Sequence, residues 1–280
     1  MTAAALTTLA MLAFAANSLL CRFALGSTET DPASFTLIRV ASGAVTLAVI
    51  AMLRGGRLVK AGNWFSAVAL FAYAAAFSFA YRSLDTGTGA LLLFGAVQFT
   101  MTGWGIAKGE RPGPLRAVGM LTATAGLVYL FLPGASAPDL VGASVMVIAG
   151  AAWGIYSLRG RGSEQPLEET AANFVYAVPL ALALSLASRV DRGVDEAGVL
   201  AAIASGAVAS GVGYAIWYAA LRDLRATTAA TVQLSVPVIA AIAGVMFLDE
   251  TTSLRMMIAT VAILGGIGMV ILGPTGARSD

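Results

Sequence analysis

The sequence contains no histidine and only one cysteine, Cys21. A single cysteine excludes an internal disulfide and any metal site built from several thiolates. The lack of histidine removes the commonest metal ligand and the side chain whose ordinary pKa suits a switch near neutral pH. Metal-dependent and Ser-His chemistry therefore have no candidate residues, and we expect neither an enzyme nor a bound metal or cofactor.

Charged residues are also scarce, at 11%, whereas hydrophobic residues reach 58%. Soluble domains average about 25% charged residues, so we expect an all-α integral membrane protein. Runs of about 18 to 25 apolar residues predict ten transmembrane helices, and they leave no polar stretch long enough for a soluble domain. The spans cover roughly residues 3–21, 33–53, 62–82, 86–107, 115–132, 139–158, 170–188, 197–221, 225–247 and 255–273.

The second half of the chain repeats the first at an offset of 140 residues. Each half holds five predicted spans, and an odd number per repeat starts the second copy on the opposite side of the bilayer. We therefore expect two inverted five-helix repeats, residues 1–138 and 139–280, in a carrier that opens to either side. The offset aligns Glu110 with Glu250, Arg82 with Arg222, and Gly126 with Gly266.

Lysine and arginine are distributed unequally over the two sets of loops, with eleven on one side and five on the other. This excess predicts that both termini lie in the cytoplasm. The first span alone predicts the opposite orientation, because no basic residue precedes it while Arg22 follows it. The lack of a basic segment before this span also argues against a cleaved signal peptide. The eleven are Arg54, Arg57, Lys60, Lys108, Arg111, Arg116, Arg159, Arg161, Arg222, Arg225 and Arg278.

No aspartate or glutamate lies near the middle of a predicted span, because all of them fall in or beside loops. Proton-driven carriers normally hold an acidic residue or a histidine inside the membrane. The sequence therefore predicts a uniporter, or coupling too weak to need a membrane carboxylate. Glu110 and Glu250 lie at helix ends, where we expect them to cap or tether helices rather than to contact substrate.

Arg39 is the one charge well inside a span, seven residues from the outer end of span two. Two interpretations stay open for this costly position. The side chain either snorkels outward as a structural residue or lines a cavity and meets a substrate carboxylate.

Aromatic residues form stripes at helical spacing, and Phe77 coincides with Trp217 at the 140-residue offset. The stripes fit either a central site between the repeats or ordinary packing and lipid-facing surface. Tyr81 and Tyr218 also fit an aromatic belt at the membrane interface. The stripes are Tyr73, Phe77 and Tyr81 in span three, and Tyr214, Trp217 and Tyr218 in span eight.

Three neutral amides, Asn17, Gln98 and Gln233, lie near the middle of predicted helices. Each needs hydrogen-bond partners in hydrocarbon, so we expect them to face the bundle interior and to hold one another or a ligand. Trp153 and Tyr156 in span six add aromatic surface beside them.

Over nearly the whole chain these residues resemble the drug/metabolite transporter superfamily, EamA type. The most specific segment is 229–238 followed by 247–250, which is similar to the family's proline-containing span nine and its closing glutamate. Further similarity lies in Trp153-Gly154-Ile155-Tyr156, in Leu37-Ile38-Arg39, and in Asn17-Ser18 followed by Arg22. The resemblance implies ten helices in two five-helix repeats.

Span four, residues 91–99, is similar to that of bacterial aromatic amino acid exporters. This narrower resemblance implies export of amphipathic metabolites such as phenylalanine or tyrosine from the cytoplasm. We expect an inner-membrane protein without a nucleic-acid partner, present as a monomer or homodimer. The first repeat departs from the pattern, because Val97 stands where the second repeat has Pro237. We expect helices nine and four to bend at Pro237 and Gly95, so that the two halves bend unequally.

The predicted substrate site lies between the repeats near the membrane midplane. Its polar part binds the polar end of the substrate through Asn17, Gln98 and Gln233, with Arg39 as a further candidate. Two alternatives to amino acid export stay open. One is an exporter of lipophilic cations or drugs, for which a membrane carboxylate is expected and this sequence has none. The other is a passive channel or scaffold subunit. The aromatic part of the site comprises Phe77, Tyr81, Phe94, Trp153, Tyr156, Tyr214 and Trp217.

Overall fold

The computed structural model describes residues 2–56, 62–109, 112–132, 134, 137–160, 163–188, 193–222, 224, 229 and 232–273. Within these residues the chain forms ten helices, which confirms the predicted all-α membrane fold. They are α1 (Ala3–Ser27), α2 (Pro32–Leu53), α3 (Trp64–Ala80), α4 (Thr86–Ala107), α5 (Pro114–Phe131), α6 (Leu140–Gly160), α7 (Pro166–Ala187), α8 (Glu196–Leu221), α9 (Ser235–Leu248) and α10 (Leu254–Leu272).

Each predicted span overlaps one of these helices, and eight of the helices are long and apolar enough to cross a membrane. The other two, α3 and α9, have 17 and 14 residues. Span nine was predicted to begin near residue 225, but residues 225–228 and 230–231 lie outside the described part of the chain. The first span is longer than predicted, since α1 continues to Ser27.

Polar side chains begin several helices by accepting hydrogen bonds from backbone N–H groups that have no partner within the helix. Asp31 accepts from Ala33 and Ser34 at the start of α2, at 2.9 and 3.0 Å. Asp85 occupies the same position before α4 but makes no capping hydrogen bond. The cap of α4 comes from Glu250, in the loop between α9 and α10.

Helix packing is nearly unchanged when each helix of one half is exchanged for its counterpart in the other half. The contacts of α3 with α6 and α7 correspond to those of α8 with α1 and α2, and α4–α6 corresponds to α9–α1. The pairs α2–α7, α4–α9 and α5–α10 correspond to themselves. Two repeats related by a two-fold axis are expected to pack in this way; the boundary between residues 138 and 139 stays a prediction.

The most extensive helix contact among the described residues joins α5 to α10 at the periphery of the bundle, with glycine on both sides. A Cβ atom added at Gly119 would lie 2.5 Å from the carbonyl oxygen of Gly266, and a Cβ atom at Gly266 would lie 2.5 Å from that of Gly119. Only glycine allows two backbones to approach so closely. This pair therefore supports the bundle from the outside.

The middle of α8 is a π-helix over Ala204–Val212. π-Helical segments are rare and often occur at functional sites. The segment brings the Ser205 hydroxyl within 2.6 Å of Asn17 Oδ1 on α1, and it places Ser210 at the wall of the central cavity.

Candidate functional site

A cavity of about 1050 Å³ occupies the centre of the bundle. It extends from the level of Ser18 and Phe77 to the end of the bundle where α2, α4, α6 and α8 finish, and it opens there. Small-molecule sites usually measure about 300–1,000 Å³. The cavity is therefore large enough for a metabolite and part of its hydration shell.

Aromatic rings form a continuous wall of this cavity. The Trp153 ring stacks on Tyr156 and Tyr214, with centroids 5.3 and 5.5 Å apart, and its centroid lies 4.9 Å from that of Tyr73. Phe14 contacts Tyr214 at a centroid distance of 5.7 Å. Rings at these distances offer flat apolar surface with a preferred stacking geometry. The other lining rings are Phe77, Phe94, Trp104, Trp217 and Tyr218.

Beside this wall lies a buried set of polar residues that we call the arginine cluster: Arg39, Tyr73, Asn17 and Ser205. Arg39 Nη2 and Asn17 Nδ2 both donate to the Tyr73 hydroxyl oxygen, at 2.9 and 3.5 Å, and the Ser205 hydroxyl donates to Asn17 Oδ1. The guanidinium also lies over the Phe77 ring, 4.8 Å from its centroid. Both ion pairs found among the described residues involve Arg22, so the Arg39 charge is held by neutral groups alone.

A second set, which we call the tyrosine cluster, lines the same cavity with neutral groups. The Tyr156 hydroxyl donates to Thr170 Oγ1 at 3.2 Å, and the Thr170 and Tyr218 hydroxyls are 2.7 Å apart. Asn173 Nδ2 donates to the Tyr156 hydroxyl at 3.4 Å, while its Oδ1 accepts from the backbone of Asn63. The cluster joins α6, α7 and α8 without any charge.

Nine of the eleven predicted binding residues line this one cavity, and Arg39 and Tyr81 do not. Arg39 is 1% exposed, so it does not snorkel, and its contacts place it behind Tyr73 and Phe77. Tyr81 is fully buried and donates to the carbonyl oxygen of Thr86, so it does not belong to an interfacial belt. The nine are Asn17, Phe77, Phe94, Gln98, Trp153, Tyr156, Tyr214, Trp217 and Gln233.

Several lining residues were not selected from the sequence. Tyr73 lies one helical turn before Phe77, so the stripe in span three already placed it on the same face. Small hydroxyl residues give no comparable signal, because serine and threonine are common throughout membrane helices. The residues concerned are Phe14, Ser18, Tyr73, Thr170, Asn173, Ser210 and Tyr218.

Hydrogen bonds and ion pairs centred on Arg22 and Glu250 join the helices at the other end of the cavity, which we call the closed end. Arg22 Nε donates to Glu250 Oε1 at 3.3 Å, its Nη1 donates to the carbonyl oxygen of Tyr81, and its Nη2 lies 3.5 Å from Asp85 Oδ1. The Glu250 carboxylate accepts from the backbone N–H and the hydroxyl of Thr86, at 2.9 and 3.0 Å. The end of α1, the α3–α4 turn and the α9–α10 loop are thereby joined.

The α9–α10 loop turns sharply to bring Glu250 into this position. Asp249 adopts a left-handed conformation with φ of 53°, and the Glu250 N–H donates back to the carbonyl oxygen of Gly244. A Cβ atom at Gly244 would collide with Glu250 Oε2, so a larger residue there would displace this carboxylate. Glu250 tethers helices as the sequence predicted, whereas its repeat partner Glu110 lies outside the described residues.

A second connection at the closed end links the α1–α2 loop to the start of α8. The Asp31 N–H donates to the carbonyl oxygen of Gly193, and the Thr30 hydroxyl donates to Asp195 Oδ1. Asp195 also caps α8 by accepting from the Gly198 N–H at 2.8 Å. That backbone hydrogen bond, assisted by Thr30, holds the pKa of Asp195 below its ordinary value of 3.8.

The opposite end, which we call the open end, is lined by charged side chains at helix termini. Arg159 donates to Ser66 Oγ and Asn63 Oδ1, both at 3.0 Å. Charged residues are confined to this mouth, and the lining at the depth of Trp153 and Gln98 is neutral. The charged lining residues are Arg54, Lys108, Arg116, Arg159, Arg222, Glu164, Glu168 and Glu169.

The two predicted hinges differ. Leu234 forms a turn directly before α9, three residues ahead of Pro237, whose missing N–H cannot donate to the carbonyl oxygen of Gln233. Gly95, in contrast, lies inside the uninterrupted helix α4, and a Cβ atom there would meet only Ile263, at 3.6 Å. The helix break therefore lies in the second half.

Comparison with known proteins identifies a family and relatives that this chain resembles. Residues 140–272 match the EamA-like transporter family. A protein of Pseudomonas aeruginosa, named as uncharacterized, is 53% identical over 95% of this chain and 93% of its own length. A protein of Archaeoglobus fulgidus, named as an uncharacterized transporter, is 24% identical over 87% of this chain and 89% of its own length.

A crystal structure of a protein with 18% sequence identity shares the fold, with a TM-score of 0.65 and 96% of both chains covered. An identity this low supports the fold alone. The family match and the relatives, together with the apolar helices around a central cavity, point to one class of protein. The chain belongs to the EamA-like transporter family, and it is a multi-pass membrane transporter of small molecules.

Proposed function

We propose that this chain is a bacterial inner-membrane exporter of amphipathic small metabolites, most of all aromatic and other hydrophobic amino acids. It works by alternating access as a uniporter, without catalysis or a cofactor. One observation carries the proposal: an aromatic-walled cavity at the centre of the bundle opens at one end and is closed at the other.

The lining matches an amphipathic substrate. An aromatic or aliphatic side chain packs against Trp153, Tyr214 and Trp217, while the amides of Gln98 and Gln233 hydrogen-bond the polar end. Sites for lipophilic cations rely on carboxylates, and the lining carboxylates lie at the mouth. Export of lipophilic cations or drugs is therefore the second candidate.

The direction of transport follows from the charge of the loops. The excess of lysine and arginine belongs to the loops at the open end, so we assign that end and both termini to the cytoplasm. The structure then corresponds to the state that loads substrate from the cell. Release requires the closed end to part, with residues 1–138 and 139–280 moving as two repeats and Pro237 providing the more flexible hinge.

The uniport proposal rests on where the acids lie. Each aspartate and glutamate within the described residues lies in a loop or in the first turn of a helix, so no carboxylate is available as a proton relay at the midplane. Collapsing a proton gradient across proteoliposomes, at a constant substrate gradient, should leave transport unchanged. Loss of transport under that condition would exclude uniport.

Counterflow of labelled phenylalanine in proteoliposomes tests the function itself. We expect unlabelled phenylalanine on the opposite side to accelerate exchange, which a passive channel or a scaffold subunit does not do. Gln98→Ala and Trp217→Ala should each reduce exchange about tenfold or more, because each removes a central contact. Trp64→Ala is the matched control, since Trp64 is 57% exposed and stacks on Tyr176 away from the cavity.

The experiment has a clear negative outcome. Unchanged exchange in both cavity variants at equal expression would refute this site. A panel that includes nucleosides and organic cations separates the two candidate functions, because cation exchange without amino acid exchange would favour the second. The carrier can act as a monomer or as a homodimer in either case.

A further inference from the structure

The Tyr73 hydroxyl has an unusual set of hydrogen bonds. Its oxygen accepts from Arg39 Nη2 at 2.9 Å and from Asn17 Nδ2 at 3.5 Å, while Tyr73 itself lines the cavity. Asn17 presents its amide nitrogen to Tyr73 because its carbonyl oxygen accepts the Ser205 hydroxyl at 2.6 Å. Two N–H donors of the arginine cluster, one from Arg39 and one from Asn17, are therefore directed at the Tyr73 oxygen.

A phenolic hydroxyl has two acceptor lone pairs and one donor hydrogen. The two N–H donors occupy both lone pairs of Tyr73, so its hydrogen is left to donate. None of the hydrogen bonds among the described residues provides an acceptor for it. The group best placed to accept is a ligand in the cavity, and the donor is strengthened because a guanidinium polarises the oxygen.

The charge behind Tyr73 is not neutralised by any carboxylate of the described residues. The titratable groups that face Arg39 are Cys21 on α1, Tyr73 on α3 and Tyr214 on α8, and none of these is a carboxylate. Arg39 Nη1 has no hydrogen-bond partner within the described part of the chain. A buried positive charge is costly without a counter-ion, and an anionic ligand beside Tyr73 would supply one.

We propose that the cavity selects substrates that carry a carboxylate, which accepts the Tyr73 O–H, with Arg39 acting through Tyr73 as the buried counter-charge. This inference rests on the proposed export function and names the substrate class of the same site. Tyr73 is the binding residue, and Arg39 is a positioning residue that does not touch substrate. The Trp153 ring, 4.9 Å from the Tyr73 ring, receives the aromatic or aliphatic part of the same molecule.

Two probes that differ only in charge test the proposal: 3-phenylpropionate and 3-phenylpropionamide. Binding to the purified full chain is measured by tryptophan fluorescence, because three of the four tryptophans, Trp104, Trp153 and Trp217, line the cavity. Exchange of the same probes is measured in proteoliposomes. We expect the wild type to prefer the carboxylate about tenfold or more, as charge-assisted hydrogen bonds are stronger than neutral ones.

Tyr73→Phe keeps the ring and removes the hydroxyl, so the preference should fall to about twofold or less. Tyr218→Phe is the matched control from the neutral tyrosine cluster and should keep the carboxylate preference, whatever it does to overall affinity. Arg39→Met should abolish the preference, and Arg39→Lys should keep part of it because the charge remains. If the Arg39 variants do not fold, Tyr73→Phe alone decides.

The outcomes separate this inference from the proposed function. Equal binding of both probes by the wild type, or an unchanged preference in Tyr73→Phe, overturns the carboxylate site and leaves export of aromatic molecules standing. Failure of both probes and of phenylalanine to bind or exchange overturns the export function and this inference together.

Discussion

The two ends of the cavity are held by different kinds of interaction. At the closed end, Arg22 and Glu250 pair with each other and with backbone groups of separate helices. At the open end, Arg159 bonds to the neutral side chains of Asn63 and Ser66, and charged side chains line the mouth. The closed end is therefore a set of specific bonds that must break, whereas the open end is a passage lined by solvated charge.

The difference matters because the Glu250 side chain is only 9% exposed. Removing one partner of a desolvated pair leaves the other charge and the helix N–H groups without compensation. Exposed pairs at the same end contribute much less, because water screens them. The stability of the closed end should therefore depend on a few atoms around Glu250.

Replacing Glu250 should change the difference between the two ends most, because it should weaken the closed end. Glu250→Ala removes the cap of α4 and the less exposed of the two carboxylates that pair with Arg22, which we expect to destabilise the closed end by about 1–3 kcal/mol. In a Cys21→Ser background, the substitution Ser18→Cys places a thiol at the inner limit of the cavity, and its labelling reports opening of the closed end. Its labelling by an impermeant maleimide from the closed side should increase about tenfold, since about 1.4 kcal/mol corresponds to tenfold.

Asp85→Asn is the matched control, because Asp85 pairs with the same Arg22 but is 51% exposed. Its effect should stay below about 1 kcal/mol. Labelling that is unchanged in Glu250→Ala, or that rises equally in both variants, would show that the bonds of Glu250 do not hold this end closed.

An intermediate effect is expected from the cavity wall. Trp153→Ala removes the ring that stacks on Tyr156 and Tyr214, so the concentration for half-maximal phenylalanine counterflow should rise about tenfold. Labelling of the closed end should not change, which separates binding from gating. An equal loss in Trp64→Ala, whose ring lies outside the cavity lining, would attribute the effect to folding instead.

The smallest expected effect is the loss of stability when the carboxylates at the closed end are protonated in acid. Hydrogen bonds from Gly198 and Gly142 hold the pKa values of Asp195 and Asp139 below 3.8 in the folded protein. A carboxyl whose pKa is lower when folded stabilises the fold above its unfolded pKa, and this contribution disappears as pH falls through the folded pKa.

The melting temperature of the purified protein should therefore fall below about pH 4, which is near the ordinary pKa of aspartate. Asp195→Asn should melt at a lower temperature than wild type at neutral pH, and the gap should narrow in acid. A gap that does not depend on pH would show that the Asp195 charge contributes nothing to the closed end.

Much of the fold follows from the sequence, because each helix needs about 20 apolar residues whatever its neighbours are. Phe77 and Trp217 line the cavity, which is one of the two arrangements that the aromatic stripes left open. For Arg39, two interpretations were left open; burial of the side chain excludes snorkelling, and its role at the substrate site stays a prediction. The residues that face Arg39 come from α1, α3 and α8, and helical periodicity does not determine which side chains of other helices meet it.

The sequence by itself determined the ten apolar helices, the half-length repeat and the neutral, aromatic composition of the central helices, since these depend on local hydrophobicity and spacing. Only the tertiary structure decided that Tyr73 stands between Arg39 and the cavity, that Glu250 caps α4, and that one end is closed. Those features are contacts between residues far apart in the chain. They form when helix packing brings particular donors and acceptors within hydrogen-bond distance, which no single helix specifies.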